Sequence, residues 1–338
     1  MITTIDDYNI RAHNTFRMNV NAKRWIEYTD ANDLPAVFIE VGDLPFRAIG
    51  EGSNMLFLGD YDGALLHSSI LEVETSMAPD GGIDLHIGSG VVLDGLIETL
   101  AAANIFGLEN LSLIPGTAGS AAVQNVGAYG VEIKDFVTSV ECYDRIDSRF
   151  VTLHRDDCQF AYRDSLFKRP ESRQRYIVTY LNLHIPKDQG PRLDYGHLRS
   201  CISSEHPTAM EIREAVIAMR RQKLPDVDSF GSAGSFFKNP VVDAEMFGML
   251  KEKSGEAIPH FVTEQGGIKI PAAWLIDQCG LKSCSRGGAT VWEKQPLVIV
   301  NRTGHATSDD IVSLENHIID SVKTRFGITL HPEVDHIK

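Results

Sequence analysis

The sequence predicts an α+β protein with a small α/β unit in its last third. Two observations support this fold class. Short apolar runs separated by turn residues, a pattern typical of strands, dominate the first two thirds of the 338 residues. Beyond Leu224 and Pro225, where we place a domain boundary, strands and helices alternate. The length is enough for about two or three domains.

The composition is that of a soluble globular protein, with 43% hydrophobic and 23% charged residues. The chain has 32 Lys and Arg against 46 Asp and Glu, which gives a net charge of −14. This charge argues against a general nucleic-acid or anionic-membrane surface. Any anionic ligand must therefore be bound by local positive groups.

The first residues and the cysteines favour a cytoplasmic protein without a metal. Asp6 and Asp7 stand where a signal peptide would be basic, and no apolar run follows. Of five scattered cysteines, only Cys279 and Cys284 lie near each other, without the second pair that structural zinc needs. We therefore expect reduced thiols in a cytoplasm. The histidines lack metal-binding i, i+4 pairs around a carboxylate.

The elements of the first two thirds follow from local patterns. Apolar runs at 36–40 and Phe46–Ile49 predict strands, and the Gly-rich segment 50–54 predicts a turn. The segment 71–88 predicts two strands joined by a turn at 79–82. Further strands are predicted at 136–143, 150–153 and Tyr176–Ile185.

Helices are predicted where apolar residues recur at helical spacing. One such pattern covers 92–104. Thr208 and Glu211 form a capping box that opens a second helix, whose basic end suits the helix dipole.

The last third contains three predicted elements. Pro271 and Gly280 delimit a short helix, and 297–301 is a buried strand. Thr307 and Asp310 open the final helix. Its apolar stripe consists of Ile311, Leu314, Ile318 and Val322.

Residues 110–131 form an uncharged segment between Glu109 and Glu132. Pro115 and four glycines exclude a bilayer-spanning helix, which needs about 20 mostly apolar residues. A loop-rich segment with uncovered backbone N–H groups and short polar side chains suits a large phosphate-bearing cofactor. Glycines that only mark turns are the alternative interpretation.

Two familiar site patterns are incomplete. Gly88 and Gly90 follow a strand and precede a helix, but Leu93 replaces the third glycine of a dinucleotide fingerprint. The glycine-flanked elbow of a serine hydrolase is missing around Ser112, Ser120 and Ser235.

Four other segments carry reactive side chains. They are 50–54, with its glycines; 160–168, with an arginine among aromatic residues; 231–240, with a serine beside two phenylalanines; and 331–334, with a carboxylate. Each segment alone is also compatible with a structural role.

In this order, the segments resemble UDP-N-acetylenolpyruvoylglucosamine reductases, flavoenzymes of bacterial peptidoglycan precursor synthesis. The resemblance covers nearly the whole chain. Tyr195 in an intact loop resembles the longer form of the family, in which a tyrosine closes over the substrate. The motifs that carry the resemblance are Asn-Thr-Phe at 14–16, Gly-Glu-Gly-Ser-Asn at 50–54, Gly-Leu-Glu-Asn-Leu at 107–111, Ile-Pro-Gly-Thr-Ala-Gly at 114–119, Gln-Asn-Val-Gly-Ala-Tyr-Gly at 124–130, Tyr-Arg-Asp-Ser at 162–165, Lys-Leu-Pro-Asp at 223–226, Gly-Ser-Phe-Phe-Lys-Asn-Pro at 234–240, Ala-Trp-Leu-Ile-Asp-Gln-Cys at 273–279 and Pro-Glu-Val at 332–334.

The resemblance implies noncovalent FAD in a fold of the vanillyl-alcohol oxidase type. It implies FAD-binding subdomains at 1–70 and 71–222 and a substrate domain at 223–338, whose C-terminus returns to the active site. NADPH would reduce FAD, leave, and be replaced by UDP-N-acetylglucosamine enolpyruvate, which receives hydride at its vinyl carbon. A monomer is expected.

The resemblance also implies the residues of the site. The cofactor would be bound by Gly50, Glu51, Gly52, Ser53, Asn54, Pro115, Gly116, Thr117, Ser120, Gln124, Asn125, Gly127, Ala128 and Tyr129. The substrate would be bound by Tyr195, Lys223, Lys238, Asn239, Lys282 and Gln295.

Three residues would carry the chemistry. Hydride addition leaves negative charge beside the substrate carboxylate, and the planar fork of Arg163 could stabilise it. Glu333 would assist as a neutral hydrogen-bond donor or through a water. Ser235 would give the proton to the carbanion centre if its weakly acidic hydroxyl is replenished.

The chain departs from the family pattern at two places. His331 precedes Pro332 where an acid is common, and residues 292–295 replace a stretch that often offers histidine. The second departure affects the contacts implied for Lys282 and Gln295. The alternatives are a related flavin oxidase of a small hydroxy compound and a nucleotide-sugar-binding regulator without activity.

Overall fold

A computed structural model describes residues 1–226, 229–254, 257–263 and 266–338. These residues divide into two compact units. The first unit comprises Met1–Tyr8, Asn21–Glu51 and Tyr61–Arg220, and the second comprises Asn9–Val20, Gly52–Asp60 and Arg221–Lys338. Each unit is described by itself.

The described residues form eight α-helices. They are α1 (Leu34–Val41), α2 (Leu93–Ala102), α3 (Ala118–Gln124), α4 (Pro170–Arg173), α5 (Ala209–Lys223), α6 (Ala244–Ser254), α7 (Ala272–Gln278) and α8 (Ser308–Phe326).

The same part of the chain contains twenty β-strands. They are β1 (Ile2–Asn9), β2 (Asn21–Tyr28), β3 (Phe46–Ile49), β4 (Met55–Phe57), β5 (Tyr61–Ser68), β6 (Val73–Met77), β7 (Ile83–Gly88), β8 (Gly127–Ala128), β9 (Val131–Glu132), β10 (Val137–Asp144), β11 (Arg149–His154), β12 (Tyr176–Ile185), β13 (Gly231–Ser235), β14 (Val241–Val242), β15 (Phe261–Val262), β16 (Ile268–Lys269), β17 (Ser285–Arg286), β18 (Ala289–Val291), β19 (Val298–Asn301) and β20 (Asp335–Ile337).

The first sheet of the first unit has the strand order β1-β2-β5-β3, and β5 pairs in parallel with both β2 and β3. The strand expected at 36–40 is wrong, because this segment belongs to α1. Its buried residues Leu34, Val37 and Val41 recur at helical spacing, and a proline stands in the first turn. A short apolar run does not distinguish a strand from a buried helix, and here tertiary packing selects the helix.

The second sheet of the first unit is antiparallel, in the order β11-β10-β12-β7-β6. The strands predicted in this region are confirmed. The turn predicted at 79–82 joins β6 to β7, with Gly81 at φ +81°. The predicted helix at 92–104 is α2, whose buried face packs with the inner face of this sheet.

The uncharged segment 110–131 contains a helix, α3, where we expected mainly loop. Thr117 and Ser120 cap it reciprocally, and its alanines are buried against the core of the second sheet. The helix ends at Asn125, which has φ +46°. Its small residues thus serve close packing as well as turns. Among the described residues, every helix falls short of what a bilayer-spanning segment requires.

The second unit is built around an antiparallel sheet in the order β13-β19-β18-β17. The helix predicted to open at Thr307 and Asp310 is α8, and the four residues of its apolar stripe are fully buried. The strand predicted at 297–301 is β19, and the short helix after Pro271 is α7.

The boundary between the units falls within α5, between Arg220 and Arg221, close to the boundary predicted at 222 and 223. The capping box predicted for this helix is present, since Thr208 N donates to Glu211 Oε2 (2.7 Å) and Glu211 N to Thr208 Oγ1 (3.2 Å). The division of residues 1–222 into two subdomains stays a prediction.

Candidate active site

The glycines of segment 50–54 allow close backbone packing. A Cβ on Gly50 would lie 3.0 Å from Thr117 Oγ1. Glu51 accepts a hydrogen bond from the Gly116 amide in the first unit. Gly52, in the second unit, has φ +60°, and a Cβ there would lie 2.3 Å from the His13 carbonyl oxygen. Only glycine fits the backbone at position 52.

The amides of residues 116–120 are hydrogen-bonded within the first unit. This arrangement differs from the uncovered N–H groups that we inferred from the sequence. Because the side chains here are small, the backbone packs directly against the segment between β7 and α2. The amides form hydrogen bonds in that contact. Their acceptors are, in order, Glu51 Oε2, Ser120 Oγ, Val91 O, Ser89 O and Thr117 Oγ1.

Arg163 lies in a tight turn over residues 161–164. Ala161 and Asp164 exchange backbone hydrogen bonds of 2.9 and 3.1 Å, and Arg163 has φ +55°. Such a φ is unfavourable for a side chain of this size and requires support from the surroundings. Its guanidinium group donates to the Gly127 carbonyl oxygen (2.6 Å) and lies 5.2 Å from the centre of the Tyr162 ring.

Side-chain hydrogen bonds join this turn to the end of α3. Asn125 Nδ2 donates to the carbonyl oxygen of Ala161 (2.8 Å). Ser165 Oγ donates to the carbonyl oxygen of Val123 (2.6 Å). The structure therefore brings Arg163 together with Asn125 and Gly127, which we predicted to bind the cofactor.

Lys168 adds a further link that the sequence analysis did not single out as a site residue. Its Nζ donates to Gln124 Oε1 (2.7 Å) and to the backbone carbonyl oxygen of Arg163 (3.0 Å). In the sequence, the only sign of this role is the position of Lys168 in the aromatic segment 160–168. Its hydrogen-bond partner Gln124 is 44 residues away in the chain.

Tyr129 and Gly130 form the two-residue turn between β8 and β9, with φ of +47° and +81°. The Tyr129 ring meets the Tyr195 ring edge to face, with 6.2 Å between centroids. Burial raises the pKa of Tyr129. Asn110 Nδ2 donates 2.8 Å hydrogen bonds to the backbone oxygens of Tyr129 and Arg192, and so fixes both loops.

Two buried polar atoms beside this turn have no hydrogen-bond partner in the part of the chain that the structure describes. They are Asn110 Oδ1 and Arg220 Nε. Buried polar atoms in native proteins are normally bonded, so such atoms are expected where a ligand completes the structure. Together with the uncharged surface of residues 115–129, they fit a large flavin nucleotide.

Ser235 and Glu333 lie on neighbouring segments of the second unit. Ser235 is exposed at the end of β13, after a register shift at which Gly234 has φ +68°. Glu333 N donates to the Phe236 carbonyl oxygen (2.8 Å), and Phe237 forms a β-bridge with Pro332. The C-terminal segment is thus paired with the residues directly after the serine.

Asn54 holds the same C-terminal segment from the other side. Its Nδ2 donates to the Glu333 carbonyl oxygen (3.2 Å), and its own carbonyl oxygen accepts from Asp335 N (3.0 Å). Farther along, His336 Nε2 lies 2.8 Å from Glu315 Oε2 of α8. The Glu315 side chain is 9% exposed and raises the pKa of His336 by hydrogen bonding.

The residues predicted to bind substrate occupy several places. Tyr195 belongs to the first unit and is exposed; the other five belong to the second. Asn239 Oδ1 accepts from Ala272 N (2.9 Å) at the start of α7, and Lys282 forms an exposed ion pair with Asp277 (2.7 Å).

The three remaining substrate candidates have backbone contacts. Lys238 N donates to the His331 carbonyl oxygen (2.9 Å). The carbonyl oxygen of Lys223 accepts from Trp292 Nε1 (3.0 Å), and that of Gln295 accepts from Val298 N (3.0 Å). The pairing of Lys238 places it next to the C-terminal segment of Glu333.

Two family models match separate parts of the chain. Residues 26–153 match the family model described as FAD binding domain. Residues 225–337 match the model described as UDP-N-acetylenolpyruvoylglucosamine reductase, C-terminal domain. The predicted combination of an α+β FAD-binding fold with a C-terminal domain is confirmed.

Relatives that align over nearly their full length are also named UDP-N-acetylenolpyruvoylglucosamine reductase. The UDP-N-acetylenolpyruvoylglucosamine reductase of Bacteroides fragilis is 41% identical over 98% of this chain and 99% of its own length. That of Pasteurella multocida is 41% identical over 97% and 96%. The crystal structure of the reductase from Thermus caldophilus, 22% identical, shares the fold with a TM-score of 0.67 over 100% of this chain and 99% of its own. The chain belongs to the UDP-N-acetylenolpyruvoylglucosamine reductase family.

Proposed function

We propose that the chain reduces UDP-N-acetylglucosamine enolpyruvate to UDP-N-acetylmuramate with NADPH, a step of peptidoglycan precursor synthesis. As a member of its family, the chain is an FAD-containing oxidoreductase. The observation that carries the proposal is the backbone pairing of the Glu333 segment with the residues directly after Ser235, which brings a glutamate and a serine onto neighbouring segments.

Arg163 would bind the carboxylate of the enolpyruvyl group. When bound, FAD would supply the redox chemistry, which is the transfer of hydride from NADPH to the vinyl carbon. Negative charge then grows on the carbon that bears the carboxylate. A planar guanidinium group can form two parallel hydrogen bonds to that carboxylate and stabilise the charge. The hydrogen bonds around residues 161–164 hold Arg163 in place before substrate arrives.

Ser235 would donate a proton to the same carbon. A serine hydroxyl is a weak acid, so its proton must be replaced from a neighbouring group. Glu333 is the candidate, directly or through a water, because its backbone pairs with that of Phe236, the residue after the serine. Gly234, with φ +68°, lets the strand turn so that the serine remains exposed.

The pyrophosphate groups of the nucleotides need local cations in a chain of net charge −14. Lys223 and Lys238 would serve the substrate, together with Asn239 and Tyr195. Lys282 and Gln295 are assigned to the same role by position. We further propose that the enzyme acts as a cytoplasmic monomer, without nucleic acid or membrane.

The substitution Ser235→Ala tests this function. We expect near-normal reduction of the flavin by NADPH in anaerobic stopped-flow experiments. Reoxidation by the enolpyruvyl substrate should slow by about 10²–10⁴-fold, the usual contribution of a general acid. Ser285→Ala removes an exposed hydroxyl of the same unit and should change neither half-reaction. Equal slowing of both half-reactions would exclude proton donation by Ser235.

The unmodified enzyme provides a second test. NADPH oxidation should depend on the enolpyruvyl substrate, and acid should release the flavin. A covalently retained flavin would indicate an oxidase of the related kind, and a lack of substrate-dependent turnover would indicate a binding protein without activity.

A further inference from the structure

Arg220, on the last turn of α5, is a partly buried cation whose charge the described part of the chain leaves incompletely compensated. Its Nε is buried and lacks a hydrogen-bond partner in that part. Burial lowers the pKa of Arg220, whereas Tyr129 and Asp94 act in the opposite direction. A buried arginine normally requires an anion or several acceptors.

The nearby acid is already bound to another arginine. Asp94 accepts hydrogen bonds from Arg213 Nη1 (2.5 Å) and Nη2 (3.0 Å) and from Leu113 N (2.6 Å). Burial favours the neutral form of Asp94, but the hydrogen bonds from Arg213 and Leu113 dominate and lower its pKa. Asp94 is therefore committed to Arg213.

Arg213 and Arg220 lie seven residues apart, two turns along the same helix and on one face. Arg213 is 4% exposed, and its guanidinium group donates two hydrogen bonds to the carboxylate of Asp94. Arg220 lies near the same acid without such hydrogen bonds, and it is close enough to Tyr129 to influence the pKa of the tyrosine. The contrast within one helix indicates that Arg220 awaits an external anion.

We propose that Arg220 binds a phosphate of a nucleotide that lies against Tyr129. The proposal rests on the proposed function, because FAD, NADPH and the UDP-sugar substrate each carry a pyrophosphate. A guanidinium fork matches two phosphate oxygens, and its affinity rises where water is excluded. The experiment distinguishes the three sources.

The test compares Arg220→Met with Arg221→Met in the FAD-loaded enzyme. Arg221 is the next residue on α5 and is exposed, so its replacement removes the same charge without the buried group. The probes are UDP against uridine, NADP⁺ against its nicotinamide mononucleoside, and retention of FAD on dilution, followed by flavin fluorescence. Arg220→Gln repeats the measurement with a polar side chain if methionine prevents folding.

We expect Arg220→Met to weaken one pyrophosphate ligand by about tenfold to hundredfold, and Arg221→Met to leave all three within about twofold. Loss for UDP but not uridine identifies the substrate as the source. Loss for NADP⁺ but not the mononucleoside identifies the co-substrate, and faster release of FAD identifies the cofactor.

Unchanged binding of all three ligands would overturn the proposal. So would an equal loss for UDP and uridine with FAD retained, because that result assigns Arg220 to packing. These measurements need no turnover. An unmodified enzyme that does not reduce the enolpyruvyl substrate would therefore refute the proposed function separately.

Discussion

The support of Arg163 by Asn125 can be tested by replacing the asparagine with glycine and with alanine. Asn125 is fully buried and caps α3 in the left-handed region. Its side chain donates to Ala161 O (2.8 Å) and Glu132 Oε2 (3.1 Å) and accepts from Lys134 N (3.3 Å). Glycine keeps the backbone conformation and removes only these hydrogen bonds.

The free energies of unfolding of the two variants should differ only by the cost of the left-handed backbone conformation at position 125. A buried group left without its partner costs about 1–3 kcal/mol. Ala161 lies at the surface and can be rehydrated, so Asn125→Gly should lower the free energy of unfolding by about 2–3 kcal/mol. Alanine adds about 1–2 kcal/mol, because its Cβ disfavours the left-handed region.

The kinetic effect follows from the position of Arg163. Without the link to Ala161, the turn over residues 161–164 loses one of its anchors on α3. A displacement of about 1 Å at a catalytic group can slow a reaction about a hundredfold. We expect this loss in the reaction of the reduced enzyme with substrate, whereas flavin reduction by NADPH should remain within a few fold.

Urea denaturation of both variants and anaerobic stopped-flow kinetics provide the measurements. A glycine variant with unchanged stability and unchanged substrate reduction would refute the positioning role of Asn125. Equal slowing of both half-reactions would instead support the direct contact with the cofactor that we predicted for this residue.

Two further predictions concern the second unit. Gly52→Ala should destabilise it by about 2–5 kcal/mol through overpacking and strain, because a Cβ would overlap the His13 carbonyl oxygen. Gly304→Ala, at φ +74° with open space around it, should show the strain alone in the same denaturation assay; equal effects would contradict the overlap. Glu315, with smaller contributions from Asp335 and the Val334 carbonyl oxygen, raises the folded-state pKa of His336. The resulting stabilisation is fully present below the unfolded pKa of about 6.5 and is lost as pH rises through the raised value. His336→Gln should abolish this pH dependence, unlike His305→Gln at an exposed position; a persisting dependence would exclude the pair.

Local signals in the sequence were sufficient for most elements. Capping boxes at Thr208 and Thr307 and the turn at 79–82 involve residues close in the chain, so their chemistry is visible in a short window. The strand prediction at 36–40 was wrong because a run of four apolar residues is compatible with either a strand or a helix, and packing against β2, β3 and β5 decided the outcome.

The candidate site was less accessible to sequence reasoning, because its contacts join distant residues. Asn54 and Glu333 are 279 residues apart, and no local pattern specifies their hydrogen bond. Lys168 and Gln124 are also paired only by the fold. Motif order could suggest which residues belong to the site, but not which of them hold the others in position.

The asparagines explain why the segment 110–131 carries no charge. A neutral amide can both donate and accept, so Asn110 and Asn125 bind backbone groups of neighbouring loops without introducing a charge. A carboxylate in place of Asn110 would lie near the turn of Tyr129 and would attract Arg220 to itself. Arg213 shows that outcome, since Asp94 holds its fork. Supporting the turn of Tyr129 with an amide instead preserves the positive charge of Arg220 for an anion that comes from outside the chain.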